Sequence, residues 1–281
     1  MNKECRLCKS KNIITIKHGV RDNSEIDVFK CKNCGLEFLS QNAQPDNNFY
    51  EKGGMHSAYS VERWFQSTFA DDKRRSENLS KIIKNKNILD FGTGNGGFLK
   101  LAKKYAKSAS GLDLDKSLDE HYKNNKLSVK HSLEDFDEKF DVITMFHVLE
   151  HITEPEPALE NLKKYLKKGA KLIIEVPNSN DALLTMYKSE DFKNFTYWSC
   201  HIYNYNAKNL QILLKNSGYK INKIKYIQRY PYTNHIGWLK DKKSGGHKRY
   251  KQNNIINCLY TLFLKITKKT DTVMIFATPI I

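Results

Sequence analysis

The residues best placed to do chemistry fall in three groups along the 281-residue chain. The first is two cysteine pairs, Cys5-x2-Cys8 and Cys31-x2-Cys34. Two intervening residues let each pair turn both sulfurs toward one ion, and Gly35 supports the second turn. Four thiolates are soft ligands that favour Zn²⁺ in a closed tetrahedral site. With no open coordination position, that site is expected to be structural. In a cytosolic chain such pairing points to metal rather than to disulfides.

The second group is Asp90-Phe91-Gly92-Thr93-Gly94-Asn95-Gly96-Gly97, between an apolar run and an amphipathic one. A glycine-rich turn from strand to helix lets a ligand approach the backbone closely. It is not the dinucleotide pattern G-x-G-x-x-G, because Gly96 follows Asn95 at once, and it lacks the Gly-Lys-Ser/Thr of a P-loop. Asp113 ends the next apolar run, where a carboxylate can accept both hydroxyls of a ribose.

The third group carries imidazoles: His151, and His201 within Tyr197-Trp198-Ser199-Cys200-His201-Ile202-Tyr203. Histidine is the usual proton acceptor near neutral pH, so both are candidate bases. Farther on, Arg229, Asn234, His235, Trp238, Gly245, Gly246, His247 and Arg249 mix glycines with basic and aromatic side chains. That mixture suits a loop over an anionic ligand.

Elements that alternate must position these groups. Asn87–Phe91, Ser108–Asp113, Ser128–Lys130, Phe140–Met145 and Lys171–Val176 read as short strands. Helices are predicted between them, including Pro157–Lys167 with Leu159, Leu162 and Leu166 on one face. Strands alternating with helices imply a parallel sheet covered on both faces. Residues 61–84 read as a helix, as do Ala207–Ser217, which Gly218 closes. Tyr219–Tyr230 and Thr272–Ala277 read as strands. Ile255–Ile266 is an apolar helix followed by Lys268 and Lys269, expected to cover the core, with a membrane-surface helix as the alternative. The organisation is therefore 1–40 zinc ribbon, 41–86 linker and N-terminal helices, and 87–281 one α/β domain with an insertion at about 232–271.

The order of motifs over residues 87 to about 180 resembles class I S-adenosylmethionine-dependent methyltransferases. Asp90 to Gly94 is similar to their acid-x-Gly-x-Gly, Asp113 to their acid after the second strand, and Val148-Leu149-Glu150-His151 to their phrase after the fourth. Leu166-Lys167-Lys168-Gly169-Ala170 resembles their Leu-Lys-x-Gly-Gly turn, with Ala170 for the second glycine. The resemblance implies a Rossmann-like, mostly parallel seven-stranded sheet and S-adenosylmethionine across its strand ends. It implies that Asp90, Gly92, Thr93, Gly94, Asn95 and Gly96 lie by the methionine moiety and that Asp113, with Leu114, holds the ribose. Ser132, Leu133 and Glu134 are then expected by the adenine, and Phe146 and His147 at the fourth strand end.

Residues 197–205 resemble the Tyr-x-Glu-His-x-x-Tyr segment of zinc-ribbon sugar methyltransferases, with Cys200 in place of the glutamate. That resemblance implies His201 as base and Tyr197 and Tyr203 as acceptor contacts, and Arg229, Asn234 and His235 of the basic and aromatic insertion are the other expected contacts. A hydroxyl on a nucleotide-sugar, a sugar or a phosphorylated precursor of a surface glycan is the expected acceptor. The net charge of +16 suits a small anionic substrate. It also leaves RNA open as a partner, and an RNA methyltransferase that docks through its ribbon is one alternative. The Asn/Asp-Pro-Pro-Tyr/Phe motif for exocyclic amines is missing, and Phe146-His147-Val148-Leu149 stands in its place. A non-catalytic binding module is the other alternative. No apolar run reaches the roughly 18 residues of a membrane span, and no secretory signal begins the chain, so a cytoplasmic location is expected.

Overall fold

The computed structural model describes residues 4–40, 51 and 60–280. Most of the expected 41–60 linker lies outside them. Strands alternate with helices from residue 87 onward, as the apolar runs require. Seven strands form the central sheet: β4 (Asn87–Phe91), β5 (Ser108–Leu112), β6 (Ser128–Lys130), β7 (Phe140–Phe146), β8 (Leu166–Pro177), β10 (Tyr219–Ile227) and β11 (Thr272–Pro279). Their order is β10-β11-β8-β7-β4-β5-β6. The pairs from β8 to β6 are parallel, and β11 runs antiparallel to both neighbours. This is the Rossmann-like, mostly parallel seven-stranded sheet that the sequence resemblance implies.

Helices bury the two faces. On one, Leu79 and Ile83 of the long helix Val61–Ile83 pack with Ile88, Phe98 and Leu99. On the other, Leu159, Leu162, Leu210 and Leu213 pack with Leu89 and Leu172. Two local expectations change. The helix after β7 spans Pro155–Leu162 and ends in a 3-10 turn at Lys163–Tyr165, short of Lys167. The Leu-Lys-x-Gly turn is absorbed into β8, with Gly169 at φ 74° inside the strand.

The N-terminal strands β1 (Ile13–Lys17), β2 (Val28–Cys31) and β3 (Glu37–Leu39) form an antiparallel ribbon. A fourth strand, β9 (Tyr203–Asn204), joins its edge from the far part of the chain. Phe38 pairs with Tyr203 and Glu37 with Asn204, and the Leu39 N–H donates to the Ile202 carbonyl at 3.0 Å. The ribbon's Cys5, Leu36 and Phe38 belong to the same buried cluster as Leu149, Ile202 and Leu210. A piece of about 40 residues has little core of its own, and here it shares that of the sheet.

The insertion is helical: Tyr232–Lys240, Gly246–Arg249 and Asn254–Ile266. The last helix does not cover the core as expected. Leu264 is its one buried residue, while Ile255 is 73% and Leu259 62% exposed. No helix among the described residues is long and apolar enough to cross a membrane.

One buried charge fixes the long helix to the sheet. Glu175 interrupts the apolar run of β8 and is fully buried. Arg74 donates to both its oxygens at 3.0 and 2.9 Å, and Arg75 donates twice to Oε1, at 3.0 and 2.8 Å. Burial opposes the charge on Glu175, but Arg75, His147 and Arg74 hold its carboxyl well below the ordinary carboxylate range. Removing one partner of a buried pair strands the other, so Glu175→Gln should cost about 3–5 kcal/mol at pH 7. A carboxyl depressed by folding stabilises above its unfolded pKa and loses that contribution as pH falls through its folded value. The stability gap between wild type and Glu175→Gln in urea melts should therefore narrow in acid. A gap constant down to low pH would contradict this account.

Candidate active site

The sheet reverses its strand order between β4 and β7, and a crevice opens there at the strand ends, as open α/β sheets favour. It is a cavity of about 420 Å³. Asp90, Gly92, Thr93, Gly94 and Asn95 line it from the turn after β4, and Phe146 and His147 from the end of β7. Gly92 has φ 73°, and a Cβ there would collide with Val148. Gly94 has φ 53°, and the Trp64 indole covers it. Glycine is thus required both by the backbone and by the space. Burial pushes the Asp90 carboxyl up to about 7, against a 2.6 Å hydrogen bond from Thr144.

Asp113 lies on the other side of the turn. Its carboxylate accepts the Gly94 N–H at 2.6 Å and the Asp115 N–H at 3.0 Å, holding the turn's shape. Leu114, Ser132, Leu133 and Glu134 also stand outside the cavity, and Gly96 packs against Leu127. The fourth wall is the long helix, through Trp64, Thr68, Asp71, Asp72 and Arg75. The sequence reading placed none of these at the site. A clue was present in β8, where Glu175 interrupts an apolar strand and demands a cationic partner.

A second cavity, of about 520 Å³, adjoins the first, and Arg229 and Tyr230 line both. The Arg229 guanidinium reaches Asp71 at 3.4 Å, Asp271 at 3.5 Å and the His147 ring at 3.2 Å. This cavity carries His201, Asn234, His235, Trp198, Trp238 and Asp181. Burial pushes His201 down to about 3 and His235 to about 4, so both are neutral at pH 7. His151 sits behind His201, ring centroids 4.9 Å apart, with Nδ1 2.8 Å from the Cys200 carbonyl. Burial lowers its pKa as well. Burial opposes the charge of Glu150, yet the bond to His147 and the nearby imidazoles draw its carboxyl down to about 2. His147 itself holds a left-handed backbone, φ 57°, with its N–H bonded to the Glu175 carbonyl at 2.8 Å. Strain of this kind at a non-glycine residue persists where the surroundings enforce it.

Two expected acceptor contacts lie elsewhere. Tyr197 is buried with its hydroxyl on Glu37 at 2.9 Å, and Tyr203 donates to the Thr153 carbonyl at 3.0 Å. Tyr197 is held to the ribbon by Glu37, and Tyr203 of β9 pairs with Phe38, so neither lines the second cavity. The four cysteine sulfurs converge: Cys5 to Cys34 and Cys8 to Cys31 are each 3.5 Å apart, and all lie within 4.8 Å. Burial pushes the Cys5 thiol up to about 11 and Cys34 up as well. Burial works the same way on Cys8, but bonds from Ser10 and Asn33 draw it down to about 7. Thiols crowded together this way ionise readily only around a cation.

A family model described as a methyltransferase domain matches residues 61–224. A ubiquinone biosynthesis O-methyltransferase of Coxiella burnetii is 29% identical over 108 residues, 35% of this chain. That match spans about half, 46%, of the relative's length. A protein of the same name from Hydrogenovibrio crunogenus is 25% identical over 63% of this chain and 76% of its own. Among solved structures, a methyltransferase of Thermotoga maritima described as a possible histamine N-methyltransferase is similar at TM-score 0.50 and 19% identity, over 77% of this chain and 93% of its own. A putative methyltransferase of Haloferax volcanii, solved with its activator Trm112, is similar at TM-score 0.52 and 14% identity, over 78% and 97%. At these identities the two structures speak for the fold.

Asp90 supplies a test of the cradle. A cationic ligand favours the ionised carboxylate, so S-adenosylmethionine should bind more tightly as pH rises through about 7, where Asp90 ionises. Asp90→Asn should weaken binding and flatten that dependence in calorimetric titrations. A slope that survives in Asp90→Asn would assign the proton to another group.

Proposed function

Because this chain belongs to the methyltransferase-domain family, we propose that it transfers a methyl group from S-adenosylmethionine to a hydroxyl of a small anionic acceptor. The acceptor class we propose is a sugar, a nucleotide-sugar or a phosphorylated precursor of a surface glycan. The observation that carries this reading is the shared wall. Arg229 and Tyr230 separate a glycine-lined cradle from a cavity with aromatic and basic lining.

S-adenosylmethionine, when bound, supplies an electrophilic methyl group on a positively charged sulfonium. The residues of the cradle fit such a ligand. The glycine turn leaves room for close approach, and Asp90 and Asp72 offer negative charge. Asp113 keeps acceptor capacity for ribose hydroxyls, since a carboxylate can accept about four hydrogen bonds and it accepts two here. On the other side, Trp198, Trp238 and Tyr230 offer flat apolar faces, and Arg21, Arg229 and Lys248 offer positive charge. Rings of that kind suit a sugar or base, and the cations suit phosphate or carboxylate. The Coxiella relative's name, an O-methyltransferase, agrees with a hydroxyl acceptor. The acceptor's proton has two imidazoles within reach, His201 on the cavity wall and His151 behind it.

Cys5, Cys8, Cys31 and Cys34 have the spacing and convergence of a structural Zn²⁺ site. Such an ion would hold β3, and through β9 it would hold the segment that carries His201.

Incubation with isotope-labelled S-adenosylmethionine and either nucleotide-sugar pools or total RNA decides the acceptor class. Label in the small-molecule fraction is the expected result, and label in RNA alone overturns the reading. His201→Ala should lower turnover by roughly 10²–10⁴-fold, the usual range for a proton-transfer group, with cofactor affinity unchanged. Unchanged turnover would remove His201 from the reaction.

A further inference from the structure

Glu150, His151 and His201 form a cluster of three side chains that can each offer a ligand atom. One ligand atom from each lies within 4.8 Å of the others. Glu150 and His151 sit together after β7, while His201 arrives from the segment before β9. Three observations point to a cation. Glu150 is 1% exposed, and its Oε1 meets the His147 ring at 3.3 Å. Its Oε2 is buried with no hydrogen-bond partner among the described residues, a costly state for a carboxylate unless positive charge meets it. The hydrogen bond from His151 Nδ1 to the Cys200 carbonyl puts the ring proton on Nδ1 and the lone pair on Nε2. A backbone carbonyl fixing the tautomer in this way is the usual support of a metal-ligating histidine. Finally, His201 faces the acceptor cavity, so the remaining coordination positions open toward substrate.

We propose that Glu150, His151 and His201 bind one divalent transition-metal ion at the wall of the acceptor cavity. Two imidazoles and one carboxylate suit Zn²⁺ or Fe²⁺ and leave positions for oxygen ligands. The role of the ion rests on the hydroxyl-acceptor reading above, whereas its binding does not. There it would orient the acceptor oxygen and lower the hydroxyl pKa, the proton passing to solvent water. With the ion bound, the two imidazoles act as its ligands, and the loss of turnover expected for His201→Ala then arises through the metal.

Calorimetric titration of the full chain with Co²⁺ tests the site directly. Wild type should bind one equivalent more than the double variant Glu150→Gln, His201→Ala, whatever the cysteines take, because they are the same in both. At saturating Co²⁺, the ring protons of His151 and His201 in the wild-type NMR spectrum should shift strongly, a readout that needs no variant. Equal stoichiometry in the two proteins, or unshifted ring signals, overturns the site. A wild type that binds the extra equivalent yet transfers no methyl group to a hydroxyl would keep the metal and reject only its role.

A separate observation carries a second proposal. On the helix Asn254–Ile266, Ile255, Leu259, Leu262 and Ile266 form one exposed stripe. Between Asp241 and Asp271 there is no acidic residue, while Lys248, Arg249 and Lys251 precede the helix and Lys265, Lys268 and Lys269 end it. An apolar stripe framed by cations matches an anionic bilayer surface. We infer that this helix lies on anionic membrane, its inner side held to the acceptor cavity by the 2.7 Å contact of Tyr260 with His235. The full chain should co-sediment with phosphatidylglycerol vesicles and not with phosphatidylcholine vesicles. Ile255→Ser, Leu259→Ser, Leu262→Ser should bind roughly tenfold more weakly or less, as apolar burial drives this mode. Wild type remaining in the supernatant overturns the inference. So does a wild-type dimer in light scattering that the triple variant converts to monomer, because a second copy would then be the occupant.

Discussion

A buried carboxylate in the middle of an apolar strand sets the terms for the rest of this molecule. Glu175 cannot stay ionised in the sheet without positive charge, and Arg74 and Arg75 bring it from the long N-terminal helix. That pairing holds the helix across the strand ends, where Trp64, Asp71 and Asp72 become the outer wall of the cradle. The same cations organise their own neighbours. Arg74 also meets Asp71, Arg75 meets Asp72, and the Arg75 guanidinium lies 4.7 Å from the centre of the Phe146 ring. A buried ion pair adds little net stability over an apolar contact of the same shape. Its effect here is positional, because the buried Glu175 carboxylate draws both guanidinium groups, and the helix that carries them, onto β8.

The network continues through His147 and Arg229 into the second cavity. His147 therefore touches both halves: Glu175 and Arg229 on one side, Glu150 on the other. Its left-handed backbone follows from that double constraint. Electrostatics thus links the cradle, the second cavity and the Glu150 cluster through His147 and Arg229.

The ribbon is coupled to this arrangement by hydrogen bonding and by packing. Pairing of β3 with β9 fixes the backbone from Ile202 to Asn204, directly after His201. Tyr197 and Tyr203, on both sides of that histidine, spend their hydroxyls on Glu37 and Thr153. The cysteine cluster is thereby joined to the segment that lines the second cavity, through a strand edge and a common core.

The chain's local patterns determined a good deal unaided. Cysteine spacing, the glycine turn and the alternation of apolar runs are short-range features, and they specified the ribbon's paired cysteines, the sheet from β4 to β8 and the cradle's floor. Tertiary structure decided what long-range partners decide. Glu175 found Arg74 and Arg75 about 100 residues away, and that brought a helix to the site which no motif placed there. The pairing of β9 with β3 placed Tyr203 at the ribbon edge, and Glu37 took the Tyr197 hydroxyl. The apolar helix Asn254–Ile266 has the same periodicity whether it faces a core, a partner or a membrane, so only packing could show that its stripe faces outward. A glycine turn is legible in sequence because its backbone geometry is local. A cavity wall is not, because it exists only where distant charges must be neutralised.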